Sequence, residues 1–299
     1  MTMYRSDHPK ELEEGINTLF GLEYSQYPEQ WKKVYATSQS KRAFEEDVQR
    51  IGFGAAPVKP EGQAVAEDSG HEGYTSRYTH ETIALSFSIT EEAEEDNLYG
   101  SLIQDYSAAM ARAMAHTKEI KGAAPLNDGF SVNGGDGVPW FSGSHPTPVG
   151  LQSNVLATPS DLNETSLEQV LIQIMDMVDD RGINIAAIGK LLVIPTALTF
   201  TAIRLLQSPG RVGTPDNDLN AIKEGGFLPD GVHTMQRLTD PDAWFIKTDV
   251  PKGARHFNRR SLKKGMEPDF VTGNWRYKVS ARYSFGRSDW RGMFGTPGA

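Results

Sequence analysis

The chain has 299 residues, a formal net charge of −9, an apolar share of 38% and no cysteine. The missing cysteine removes disulfide frameworks, thiolate metal sites and cysteine nucleophiles at once, so stability must come from packing or from assembly. The acidic balance argues against a dedicated nucleic-acid binder. No apolar run approaches a membrane helix, and the N-terminus (MTMYRSDHPKELEEG) lacks an apolar signal core, so the sequence reads as a soluble intracellular chain.

Residues 1–51 read as an arm of short helices. Asp7 suits an N-cap, Pro9 a first turn, and Leu12, Ile16, Leu19 and Phe20 form an apolar stripe that Gly21 ends. A second piece carries Trp31, Val34 and Tyr35. A third is expected after Ser40, where Phe44, Val48 and Ile51 are spaced for one helical face. Such short pieces need a partner surface, which another subunit would supply.

Residues 52–89 are polar and punctuated by Pro57, Pro60, Gly62, Gly70 and Gly73. Their end alternates: Ile83, Leu85, Phe87 and Ile89 fall on one face, the mark of a half-buried strand. Its expected hairpin partner lies near Gln63–Glu67. Residues 90–121 then read as one long helix, capped by Thr90 and Ser88. Its apolar face takes in Leu98, Leu102, Ile103, Tyr106, Met110, Ala113, Met114 and Thr117. At 1.5 Å per residue it would be about 45 Å long, the width of a domain.

Residues 122–165 are loop-rich and suggest an excursion over a surface. A compact α/β pattern follows. A helix starts at capping boxes formed by Thr165 and Ser166 with Glu168 and Gln169, and Gly182 ends it. Leu191–Ile194 reads as a buried strand, and Thr196 as the cap of a helix that turns Leu198, Ala202, Leu205 and Leu206 inward. Residues 211–232 are another loop. Strand patterns then appear at Trp244–Thr248, His256–Asn258, Asp269–Thr272 and Trp275–Phe285, with Gly273-Asn274 as a hairpin signal between the last two.

Motifs of chemistry are few. Gly52-Phe53-Gly54 continues into Ala55-Ala56-Pro57 and lacks the third glycine of a dinucleotide loop. The seven histidines are scattered without metal-ligand spacing. The run Glu91–Asp96 suits a helix N-terminus, and Asp216-Asn217-Asp218 lacks the rest of a calcium loop. No catalytic residue, cofactor or metal is therefore assigned. Charge is unevenly placed: Lys252–Arg291 is rich in Lys and Arg against Glu267, Asp269 and Asp289 alone, while much of the acid lies before residue 122. One end of the chain can thus attract the other end of a second copy. Lys59, the sole lysine of the flap, reads as an ordinary solvated residue.

The order of these parts resembles a family. Ser88–Asn97 leading into a long helix, the loop PVKPEGQAVAEDSG at Pro57–Gly70, DPDAWFIK at Asp240–Lys247 and YSFGRSDWRGMFG at Tyr283–Gly295 resemble the major capsid proteins of tailed bacteriophages. That fold is shared with encapsulin shells and herpesvirus capsid floors. The closest likeness is to the head subunits of Mu-like phages. The resemblance implies an α+β fold: an N-terminal arm (1–51), an extended loop (52–89), the spine helix of a peripheral domain (90–121), an axial α/β domain (122–248), and strands returning to the peripheral domain with the tail (249–299).

It also implies a structural protein without an active site, assembling as hexamers and pentamers of an icosahedral shell around a phage genome. Scaffold, portal and possible decoration proteins would be its partners, double-stranded DNA would be packaged without sequence choice, and assembly would take place in the bacterial host cytoplasm. Residues expected at contacts between copies are Lys59, Glu61, Glu67, Asp68, Tyr74, Arg77, Arg259, Arg260, Lys263 and Lys264, with the acidic flap residues facing basic residues of another copy. The alternatives are an encapsulin-like cargo shell and, from a different class, a hydrolase using residues near His145 or His233.

Overall fold

A computed structural model describes residues 9–90, 100–208, 210, 219–269 and 272–299. Two four-stranded sheets organise the chain. The first has the order β1 (Ala36–Gln39), β10 (Ala254–Pro268), β11 (Trp275–Arg287), β4 (Glu81–Ile89). The second has the order β12 (Met293–Thr296), β9 (Trp244–Thr248), β7 (Gly189–Ile194), β8 (Val232–Thr234).

The first sheet is covered by two helices, α1 (Pro9–Gln26) and the spine helix α3 (Gly100–Asn127). Alternation on β11 explains the packing: Tyr277, Val279, Ala281 and Tyr283 point to the helices and are buried with Ile16, Phe20, Met110, Ala111 and Met114. The N-terminal helix therefore finds its partner surface within its own chain, where the sequence suggested another subunit. The buried stripe of α3 is also rotated from expectation: Ser107, Met110, Ala111 and Met114 are inside, and Tyr106 is half exposed. The helix runs past Lys121 to Asn127, through Pro125, because Ala123 and Leu126 are fully buried there. Gly122 lets the short helix α2 (Trp31–Val34) lie against it; a Cβ at Gly122 would sit 2.7 Å from Trp31 Cβ. Of the expected helix, residues 91–99 and the side chains of Leu98, Leu102 and Ile103 lie outside the description.

The second sheet is packed by α4 (Glu164–Met175), α5 (Thr199–Gln207) and α6 (Ala221–Glu224), with Leu167, Leu171, Ile174, Leu192, Ile194, Ala202, Trp244 and Ile246 in its core. The strand at Leu191–Ile194 and the inward Ala202 agree with the sequence pattern. The cap of α4 is Asn163, whose Oδ1 accepts from the Ser166 amide at 2.8 Å while Ser166 Oγ accepts from the Asn163 amide. The helix stops at Met175, short of Gly182, and Val178 turns back to bridge Asn184. The last strand of the chain, β12, joins this sheet through β9, so segment 249–299 serves both sheets.

A third core joins the sheets. It holds Trp31, Leu126, Trp140, Phe141, Phe245, Trp290 and Met293. Trp140 and Phe141 bring the loop-rich segment after α3 inside the molecule rather than over its surface, since two large aromatic rings have more to gain from burial than the irregular backbone loses. Buried Asn154 secures the junction: its Nδ2 donates to the carbonyls of Trp140, Trp290 and Met293 at 2.7, 3.2 and 3.0 Å. Gly253 and Gly292 meet back to back, and a Cβ on Gly292 would lie 2.2 Å from Gly253 Cα.

Candidate assembly surface

Residues 44–51 are a strand, not the helix their apolar spacing suggested. β2 (Phe44–Ile51) pairs antiparallel with β3 (His71–Thr79), from Phe44 opposite Thr79 to Ile51 opposite His71. Thr79 to His71 supplies the period-2 partner that overrides the helical pattern. Residues 63–67, expected as the hairpin's second arm, carry no ladder. The expected apolar strand β4 instead pairs with β11, Ile83 opposite Ala281 and Phe87 opposite Tyr277. His80 makes the corner between β3 and β4, its ring nitrogens 2.9 Å from Ser284 Oγ and from Ser40 Oγ.

The hairpin is a two-stranded sheet of its own, and several contacts root it in the body. Tyr74 donates to the Ser288 carbonyl at 2.9 Å, and Tyr78 contacts Ser288 Oγ. Asp47 pairs with Lys252 at 2.8 Å and Arg255 at 2.5 Å. Partial burial alone would raise the Asp47 pKa, but hydrogen bonds from Lys252, Ser288 and Arg255 bring it below the usual carboxylate range. Further out, Gln49 Nε2 donates to Asp180 Oδ2 at 2.7 Å. Beyond Ile51 the connecting stretch 52–70 is exposed almost throughout, with Phe53, Val58 and Val65 at 64, 92 and 71% of full exposure.

The expected contact residues divide. Lys59, Glu61 and Glu67 are exposed on that stretch. Asp68 is engaged within its own chain: it accepts from the amides of Gly54 and Ser69, which hold its pKa low, and lies 3.5 Å from Arg181. Arg77 lies over the Phe44 ring at 3.8 Å, with Glu46 at 3.9 Å. Tyr74 and Lys264 face their own subunit; Lys264 donates to the Asn17 carbonyl at 2.7 Å above the Phe20 ring, and burial lowers its pKa. Both bond within their own chain.

The remaining cations lie on the first sheet's other face. Register puts Arg260 opposite Arg282, Lys263 opposite Ser280 and Gly265 opposite Lys278. Arg260, Lys263, Lys278 and Arg282 therefore share the side away from the helices. Arg260 donates to Ser280 at 2.9 Å, and half-buried Arg259 sits in the register shift between Asn258 and Arg260. Along β4 this face continues as Thr82, Ala84, Ser86 and Ser88, all small. The strand pairing thus gathers basic residues of two strands onto one cationic face. Lys278 and Arg282 belong to the basic C-terminal segment of the sequence, but only the antiparallel register puts them beside Arg260 and Lys263.

His145 and His233 are structural. His145 Nδ1 lies 2.6 Å from Asp136 and its ring stacks on Trp290; His233 Nε2 lies 2.8 Å from the Gln30 carbonyl. Among the described residues no group of acidic or histidine side chains is placed to hold a metal ion, and no helix is long and apolar enough to cross a membrane.

A spine helix on a long sheet, a second sheet with its own helices and an outstretched hairpin define the tailed-phage capsid fold, the class of shell-building subunits. The capsid of an empty GTA particle matches with a TM-score of 0.59 at 11% identity, over 89% of this chain and 88% of that one. The virus-like particle from Pyrococcus furiosus matches with a TM-score of 0.56 at 9% identity, over 96% and 99%. The bacteriophage JBD30 capsid matches at 15% identity with a TM-score of 0.49, over 90% of this chain; the chain spans 65% of that subunit's length. No curated protein matches the chain. The phage capsid protein family matches residues 73–295, and the chain belongs to that family. It is a structural protein of the virion capsid, a subunit of the shell built from many copies, and not an enzyme; the cargo-shell alternative is not favoured.

Proposed function

We propose that the chain closes into an icosahedral shell as hexamers and pentamers, with the tip of one subunit's extended hairpin lying across the cationic sheet face of a neighbour. The observation that carries this is the tip itself: a stretch with three exposed apolar side chains and exposed Glu61 and Glu67 has too little of its own to pack against. A second copy offers what it lacks, a sheet face bearing Arg260, Lys263, Lys278 and Arg282. Lys59, Arg77 and Arg259 border the same contact. The division into arm, extended loop, spine helix, axial domain and returning strands belongs to this reading, as does the Mu-like assignment that the order of segments supports. Scaffold, portal and decoration proteins and packaged double-stranded DNA are its finer partners, and the host cytoplasm the place of assembly.

Reversing the tip charge tests it. Glu61→Lys with Glu67→Lys should abolish closed shells in electron micrographs of the protein expressed with its genomic neighbours, while the subunit stays folded. Adding Lys263→Glu and Lys278→Glu should restore them in part. Wild-type shell yield from the first double variant sinks the proposed contact.

A further inference from the structure

We propose that Arg181 is the positioning residue of the extended hairpin, clasping both arms where they part and fixing the direction in which the tip leaves the subunit. Its Nε donates to the Gly52 carbonyl at 3.2 Å, and a terminal nitrogen donates to the Ser69 carbonyl at 2.8 Å. The same nitrogen lies 3.5 Å from Asp68 Oδ1. Gly52 and Ser69 stand just beyond the last rung of the hairpin, Ile51 opposite His71. One planar, fixed fork of donors therefore spans both strand exits, a geometry that the point charge of a lysine does not reproduce. Asp68 closes the same ring from within by accepting from the Gly54 amide at 2.7 Å.

Arg181 is itself held on a braced turn. Asp179 Oδ1 accepts from the amides of Arg181 and Ile183 at 2.7 and 2.9 Å, and Asp179 donates its own amide to the Ile183 carbonyl at 2.8 Å. Gly182 supplies the left-handed residue, with φ of 82°. The adjacent Asp180 grips the hairpin one step nearer its root, through Gln49, and is anchored by buried Arg291 at 2.8 Å. Two consecutive residues of the second sheet's unit thus seize the hairpin at successive points.

The hairpin needs such a clasp. Two strands without a third are marginal in water, and this ladder shifts register between Val48 and Arg50, just where Gln49 meets Asp180. The root contacts at Asp47, Tyr74 and Tyr78 fix only the inner part. Without Arg181 the outer part is free to swing, and ordering it would be charged to assembly. That last consequence rests on the assembly proposed above; the clasp itself does not.

The test is hydrogen exchange on unassembled full-length subunits of wild type, Arg181→Ala and Arg181→Lys, with thermal unfolding alongside. Losing charge-assisted bonds of this kind should lower protection at amides 50–54 and 68–72 roughly ten-fold in Arg181→Ala. Arg181→Lys should lie between, and the remaining amides and the unfolding temperature should stay as in wild type. Unchanged protection at those amides overturns the proposal. So does a loss spread over the whole chain, because Arg181 would then support the fold rather than the hairpin. Because exchange is read on free subunits, a wild-type protein that never closes shells counts against the assembly reading alone.

Discussion

His256 sits at a place where burial and charge conflict. It packs against Trp31 and Phe285 with ring centroids 4.4 and 4.5 Å away, and neither ring nitrogen has a hydrogen-bond partner among the described residues. Burial, aided by the Lys118 ammonium and opposed by Glu29, pushes its pKa down to about 3. The folded state thus keeps it neutral while the unfolded chain takes up a proton near pH 6.5. Between those values the unfolded state binds more protons, so stability falls as the pH drops, by at most about 1.4 kcal/mol per pH unit. His256→Leu should flatten the acid limb of stability in denaturant titrations between pH 6.5 and 4 and cost little at pH 7, since it also removes two unpaired buried nitrogens. An unaltered pH slope would show that another group governs acid sensitivity. His256 was legible in the sequence as one of seven scattered histidines; its aromatic surroundings come from helix α2 and strand β11, far apart in the chain.

At the scale of elements, α1 shows how local signals and long-range packing divide the outcome. The stripe containing Ile16 and Phe20 was readable at helical spacing, but the surface it covers was not. Phe20 is fully buried, stacked on Tyr24 at 5.9 Å and beneath the Lys264 ammonium at 4.9 Å. Phe20→Ala should cost about 3–5 kcal/mol of packing. Exchange at the α1 amides should then rise while the amides of the second sheet stay protected. Equal exposure of both would mean that α1 is part of one cooperative unit with the whole subunit. The strand at 44–51 failed the opposite way: three apolar residues fit a helical face, yet pairing with 71–79 and the ion pair of Asp47 with Arg255 hold the segment extended. Short apolar patterns do not choose between periods until a partner is supplied.

For the whole molecule, the cationic face and the acidic tip lie on different parts of one subunit, and the proposed contact joins them between copies. Such an interaction is exposed and long-range, so salt screens it: the Debye length shrinks from about 10 Å at 0.1 M to about 3 Å at 1 M. Shell yield from wild-type subunits should therefore fall as salt rises before assembly, measured by sedimentation, whereas intramolecular stability changes far less. Equal yield at both salts would indicate that the apolar tip residues alone drive the contact. The basic run on β10 was legible in the sequence; its extension by Lys278 and Arg282 required the antiparallel register, and the intrachain bonds of Lys264 and Tyr74 required knowing which side of each strand faces inward.

The sequence by itself determined the parts and their order: a glycine- and proline-rich flap, a long helix, a compact α/β unit and alternating terminal strands, each set by periodicity, caps and turn residues acting over a few positions. Enough of that order was distinctive for the family to be recognised before any contact was known. The tertiary structure decided what each part touches. It gave the flap its true second strand, sent β12 to the second sheet, drew Trp140 and Phe141 inside, and placed Arg181 at the hairpin's exit. Those outcomes depend on residues brought together from distant stretches, such as Arg181 with Gly52 and Ser69, and no local pattern encodes which distant carbonyl a guanidinium will find.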